Sequence, residues 1–150
     1  MRAKKSKLRS APKTLAFLAI CALAGSGEAK AEKLWSWSYQ NPESKVSAAG
    51  TLTTKDLAAG SYEITAIAGA WNGAAITGLE AIRSCCSPPG WNDNLLLEGS
   101  PPLDKAGLAL SANGGLKINL FYKDGHYAYE IENGPEAFGG DFTAAPVDRQ

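Results

Sequence analysis

The single histidine and two nearby glutamates are the residues of this 150-residue chain with the most direct catalytic chemistry. Glu130 and Glu132 are two apart in an alternating segment, so a strand would place both carboxylates on one face at a glycosidase-like spacing. His126 directly follows an Asp124-Gly125 turn, where side chains usually meet water. A general acid would need a buried carboxyl, and a nucleophile would need a positioned base. We therefore expect a solvated hairpin with no catalytic residues, and a secreted hydrolase that uses Glu130, Glu132 or His126 is the alternative.

Two tryptophan-containing loops suggest ligand binding. They contain Trp71 and Asn72 in one loop and Trp91, Asn92, Asp93 and Asn94 in the other. Indole rings stack on sugar rings, while amides and carboxylates bind hydroxyl groups. Glycan binding by both loops is therefore one hypothesis. In the competing interpretation both tryptophans fill the core, and the Asn and Asp side chains make turns.

Oxygen-bearing side chains in the same region raise the question of a metal. Asp93, Asn94 and Asp104 offer the hard ligands that Ca²⁺ prefers. An evenly spaced ligand loop does not accompany them, so we expect neither a metal nor a cofactor.

Cys85 and Cys86 are adjacent, in an irregular segment that runs into Pro88-Pro89-Gly90. Exposed thiols rarely stay reduced in an oxidising compartment. We expect a disulfide between the two neighbours, and the alternatives are an intermolecular bridge or two free thiols. Metal binding is the least expected, because two adjacent thiolates lack a spaced second pair.

The first 31 residues have the pattern of an export signal. Six basic side chains lie within the first thirteen residues, residues 15–24 are apolar, and small residues end the segment at Ala29-Lys30-Ala31. This apolar run is too short to span a bilayer, which needs about 20 residues. We predict cleavage between Ala31 and Glu32, which leaves residues 32–150 as one domain without a membrane span.

Alternation of apolar and polar residues dominates the remainder of the chain, with turn signals every eight to twelve residues. The pattern predicts roughly eight short strands, at residues 35–39, 46–53, 62–66, 75–82, 95–98, 107–111, 116–123 and 127–132. These favour an all-β fold, a single antiparallel β-sandwich with barrel-like closure as a variant. We further predict a bulge at Gly50, a turn at residues 55–60 and a loose C-terminal end.

Several short sequence motifs, which follow one another in a set order along the chain, resemble those of a known family. They are ITAIAGAWNG at 64–73, ITGL at 76–79, NDNLL at 92–96, LD at 103–104 with GL at 107–108, INLF at 118–121, and Tyr127. Together they resemble a family of exported bacterial domains, many of which carry a C-terminal PEP-CTERM cell-surface sorting tail. The resemblance covers about residues 38–147 and implies an exported all-β domain of uncharacterised molecular function, with no catalytic residues. Because Asp148-Arg149-Gln150 stand where a tail would begin, we expect no attachment by a sorting helix.

The net charge of the predicted domain limits the classes of partner that we expect it to bind. Removing residues 1–31 takes seven basic and one acidic residue from a chain with fifteen of each, which leaves a net charge of −6. Such a domain lacks the basic footprint of nucleic-acid binding and of docking on anionic lipid. We expect a non-enzymatic protein of the periplasm or the cell exterior, structural or ligand-binding. Its expected partner is an extracellular polysaccharide or another surface protein.

Overall fold

The computed structural model describes residues 30–86 and 90–148, which form ten strands and no helix. The strands are β1 (Glu32–Asn41), β2 (Val46–Ala58), β3 (Ser61–Trp71), β4 (Ala74–Leu79), β5 (Leu95–Leu97), β6 (Leu108–Ala112), β7 (Leu116–Lys123), β8 (His126–Ile131), β9 (Glu136–Phe138) and β10 (Asp141–Pro146). The predicted signal lies outside the described residues except for its last two, and the predicted cleavage site directly precedes β1.

All strand pairs are antiparallel and belong to one sheet in the order β10-β1-β2-β3-β4-β6-β7-β8-β9, with β5 pairing separately with β3. The sheet curls into a half-barrel. The bend lies at β4, whose first residues pair with β3 and whose last residues pair with β6. Thr77 is an extra residue in the second pairing, and such a bulge bends and twists a strand. The predicted all-β, sandwich-like fold is thus confirmed, with one folded sheet supplying both layers.

A second bulge decides which residues of β3 face the core. Thr53 pairs with Ala66 and Thr54 with Ile64, so Thr65 is the extra residue. Because side chains alternate along a strand, one inserted residue moves every later side chain to the opposite face. The inward positions therefore change from Ile64 to Ile67, and four residues further on to Trp71, which is 3% exposed.

Aromatic rings from distant strands meet in this core. The Trp71 ring stacks on Tyr39 of β1 at 5.8 Å between centroids and meets Tyr129 of β8 edge-on at 5.2 Å. Trp37 of β1 stacks on Phe142 of β10 at 6.1 Å. Both halves of the sheet therefore contribute to a single core, and the predicted aromatic face of β1 is confirmed.

Two local predictions were wrong. Gly50 is not a bulge but lies in regular register between Trp37 and Gly69, where the two backbones approach closely. Residues 55–58 continue β2, because they pair with β1 and β3, so the turn is confined to residues 59–60. The prediction of a loose C-terminal end is not tested: the tail is fixed up to Pro146, because β10 pairs with β1 and Phe142 packs in the core. Its last two residues lie outside the described ranges.

Candidate functional site

Two described parts of the β4–β5 loop, residues 80–86 and 90–94, lie side by side on the face of β6 to β9 that points away from the core, here called the outer face. The main-chain N–H of Arg83 donates to the Asn92 carbonyl at 2.8 Å, and that of Trp91 donates to the Cys85 carbonyl at 3.1 Å. The N–H of Glu80 donates to the Ala109 carbonyl of β6 at 3.0 Å, which attaches the loop to the sheet.

Two buried asparagines hold this loop in shape. Asn92 is 0% exposed; its Oδ1 accepts the N–H groups of Ser84 and Cys85, at 3.1 and 3.0 Å. Its Nδ2 donates to the Ala81 carbonyl at 2.8 Å and to Asn94 Oδ1 at 3.1 Å.

Asn94 continues the same network to the sheet. Its Oδ1 also accepts the N–H of Ala109 at 3.0 Å, and its Nδ2 donates to the Glu80 carbonyl at 2.8 Å. Buried polar groups need such partners, since each unsatisfied one costs about 1–3 kcal/mol. Asn92 and Asn94, predicted as ligand contacts, are therefore structural.

Cys85 and Cys86 are bonded to each other in a disulfide within this loop. Both are buried and pack on Ala109 of β6 as a small cluster separate from the main core. The disulfide joins neighbouring residues and so restricts little of the unfolded chain, which limits its contribution to global stability. Because the Cys85 carbonyl accepts the N–H of Trp91, the disulfide-bonded pair also helps to position that residue.

The two tryptophans predicted to bind glycans together lie in different environments. Trp71 is packed among core aromatics, so the hypothesis of a paired stacking surface is wrong for Trp71, because its ring faces are covered. Asn72 next to it makes a turn: it has a φ of 50°, and its Oδ1 accepts the N–H of Ser47 at 2.9 Å. Trp91, by contrast, is 60% exposed.

Trp91 borders a groove of about 480 Å³ on the outer face. The other residues that line it are Asp104, Lys105 and Ala106 from the β5–β6 connection, Asn119, Phe121 and Lys123 from β7, Glu130 from β8 and Glu136 from β9. The groove thus combines two aromatic rings with three carboxylates and two ammonium groups. We call it the Trp91 groove.

Asn119 lies beneath this groove and is 2% exposed. Its Nδ2 donates to the Ala106 carbonyl at 2.9 Å, while its Oδ1 has no hydrogen-bond partner among the described residues. Glu130 lies directly opposite Asn119 in the β7–β8 register and is 8% exposed. The buried part of the groove lining therefore combines polar groups with the buried ring of Phe121, whereas Trp91 is its exposed aromatic group.

Asp93 and Asp104 meet where the β4–β5 loop approaches the groove. The N–H of Asp93 donates to the Gly107 carbonyl at 3.2 Å, and Asp104 Oδ1 accepts the N–H groups of Ala106 and Gly107 at 2.9 and 3.1 Å. Burial, followed by the charge of Asp104, raises the pKa of Asp93 from 3.8 to about 6. Asn94, the third residue considered as a source of oxygen ligands, directs its oxygen to Asn92 and Ala109, so the three oxygens do not converge.

The raised pKa of Asp93 predicts a pH dependence of stability. The folded state holds the Asp93 proton more tightly than the unfolded chain does. Its contribution to the free energy of unfolding is therefore fully present below pH 3.8 and is lost as the pH rises through about 6. We expect Asp93→Asn, measured by urea unfolding at pH 4 and pH 7, to lose less stability than the unsubstituted protein over this interval. Asp124→Asn, at an exposed turn, serves as the control and should keep the original difference; an unchanged pH dependence in Asp93→Asn would contradict the assignment.

The residues considered for hydrolysis do not assemble into one site. His126 is exposed at the β7–β8 hairpin opposite Lys123. Glu132 directly follows β8, forms an ion pair with Lys117 at 3.8 Å and does not line the groove. Of the three, Glu130 alone lines the Trp91 groove.

Several groove residues were not predicted. Phe121, Lys123 and Asn119 alternate with core residues of β7, so their common face was readable from the sequence. Lys105 and Glu136 had no such signal, because they reach the groove from other segments. Within residues 30–86 and 90–148 there is no group of three or more His, Cys, Asp or Glu side chains with metal-binding geometry.

No helix in these ranges has the length and apolar character needed to cross a bilayer. Comparison of the chain with protein-family models, with curated proteins and with solved structures finds no match.

Proposed function

We propose that this protein is an exported, non-enzymatic binding domain that acts in the periplasm or outside the cell and takes its ligand in the Trp91 groove. The observation that carries the proposal is the solvent exposure of Trp91 above a groove built by four separate segments of the chain. A large aromatic side chain left in water beside convergent polar groups is typical of a binding site.

Export is proposed from the N-terminal pattern and from the resemblance to exported bacterial domains. Cleavage between Ala31 and Glu32 would leave β1 intact, since this strand begins at Glu32. The disulfide between Cys85 and Cys86 suits an oxidising compartment.

Intact-mass measurement on periplasmic and medium fractions from cells that express the full chain tests export. We expect a polypeptide that begins at Glu32 and is lighter than its reduced form by two hydrogen atoms, because one disulfide has formed. Full-length polypeptide retained in the cytoplasm would contradict the proposal.

A separate measurement tests binding. Trp35, Trp37 and Trp71 are at least partly buried, so aqueous quenchers such as iodide should report mainly on Trp91. We expect at least one fraction of the extracellular material of the expressing cells, polysaccharide or protein, to protect Trp91 from iodide. If no fraction protects it, the groove is not a binding site.

A further inference from the structure

From the chemistry of the Trp91 groove we infer its ligand class: a neutral saccharide, with one sugar ring stacked on Trp91 and its hydroxyl groups directed into the groove. This inference rests on the proposed binding function and names the ligand for the same site. The sequence-based hypothesis required sugar stacking on both Trp71 and Trp91. The present inference uses Trp91 alone, together with polar side chains on the outer face of the sheet.

The first argument is the mixture of hydrogen-bonding groups. Carboxylates such as Asp104 and Glu136 only accept hydrogen bonds when ionised, and the ammonium groups of Lys105 and Lys123 only donate them. A hydroxyl group both donates and accepts, so a ligand rich in hydroxyls complements the two kinds of group at once. A purely apolar ligand would displace water from these charged groups without replacing its hydrogen bonds.

The second argument is the position of the aromatic rings. Trp91 presents an indole that is 60% exposed, and Phe121, which is only 5% exposed, lines the same groove. The C–H face of a sugar ring is apolar and its edge is polar, which matches an indole next to polar side chains. An indole exposed to water is unfavourable because its apolar surface is hydrated. A sugar ring stacked on Trp91 would remove part of that surface from water, which favours binding.

The third argument is charge. Three carboxylates and two ammonium groups line the groove, and the domain left after cleavage carries −6. This balance disfavours an anionic polymer, because like charges repel it before it reaches the tryptophan. We therefore infer a neutral ring and expect uronate polymers to be excluded.

The test is a fluorescence titration of the secreted protein with cellohexaose as the neutral probe and hexagalacturonate as the anionic one. We expect cellohexaose to shift the Trp91 emission saturably and hexagalacturonate to leave it unchanged. Trp91→Ala should weaken cellohexaose binding, followed by calorimetry, by about tenfold or more, whereas Trp91→Phe should retain part of it. Leu57→Ala is the matched control, since Leu57 is an apolar side chain 49% exposed at a site away from the groove.

The outcomes separate the saccharide inference from the binding proposal. If cellohexaose does not bind but a protein fraction protects Trp91 from iodide, the ligand class is wrong and the binding domain stands. If hexagalacturonate binds more tightly than cellohexaose, the charge argument fails and the inference of a neutral ring is overturned. If Trp91→Ala, with an unchanged melting temperature, binds cellohexaose as well as Leu57→Ala does, Trp91 is not the stacking residue.

Discussion

Replacing Gly50 with alanine is expected to destabilise the fold by about 3 kcal/mol or more. Gly50 lies opposite Gly69 where β2 and β3 approach closely, and a Cβ atom on Gly50 would lie 1.8 Å from the Ala68 carbonyl oxygen. That neighbour is backbone and cannot rotate away, so the two strands would have to separate. Because natural domains are stable by only about 5–15 kcal/mol, urea unfolding should show the loss readily.

Gly78→Ala provides the matched control for this prediction. Gly78 also lies in a strand, but a Cβ atom built there meets nothing within 4 Å and its φ is not positive. We expect this variant to retain nearly all of the stability of the unsubstituted protein. Equal unfolding free energies for the two variants would show that β2 and β3 are not in the described register.

Asn92→Ala is expected to produce the second large effect, a loss of about 3 kcal/mol. The substitution removes the acceptor for the N–H groups of Ser84 and Cys85 and leaves these donors with no side-chain partner. It also removes the contact to Asn94 that connects the loop to β6. Urea unfolding measures the loss, and iodide quenching should show altered exposure of Trp91, which the same loop positions.

Asn113→Ala tests whether that effect is specific to a buried amide. Asn113 is exposed at the turn between β6 and β7, and surface substitutions usually change stability by no more than about 0.5 kcal/mol. If Asn92→Ala were as mild as Asn113→Ala, water would satisfy the loop donors and Asn92 would not be the structural residue described here.

Structural features that depend only on residues close together in the chain were predicted correctly from the sequence. The β7–β8 hairpin was found because a strict alternation flanks Asp124-Gly125, and both turn residues have the positive φ that this pair tolerates. The aromatic face of β1 was found by the same alternation. Each of these signals lies within a few residues of the structure that it specifies.

Features set by distant contacts were missed. The extra residue at Thr65 has no signature in β3 itself, yet it determines that Trp71 faces the core. β10 follows two consecutive glycines and has one large apolar anchor, Phe142, whose partner Trp37 is more than a hundred residues away. Alternation alone could not reveal either feature, since both depend on which strands become neighbours.

In the candidate site, too, the residues with a local sequence signal were predicted and those brought in by distant contacts were not. The amide and carboxylate residues next to Trp91 were identified, but the sequence could not distinguish a buried amide from a ligand-binding one. Asn92 and Asn94 hold the loop, whereas the groove-lining groups Lys105 and Glu136 come from separate segments. Burial, which decides between these roles, is a property of the assembled sheet.

Oxidative footprinting of the four tryptophans by mass spectrometry, with and without cellohexaose, tests the central claim most directly. We predict rapid modification of Trp91, slow modification of Trp37 and Trp71, and suppression by cellohexaose at Trp91 alone. Modification of Trp71 as fast as that of Trp91, or a rate at Trp91 that cellohexaose leaves unchanged, would contradict a saccharide site on the outer face of the sheet.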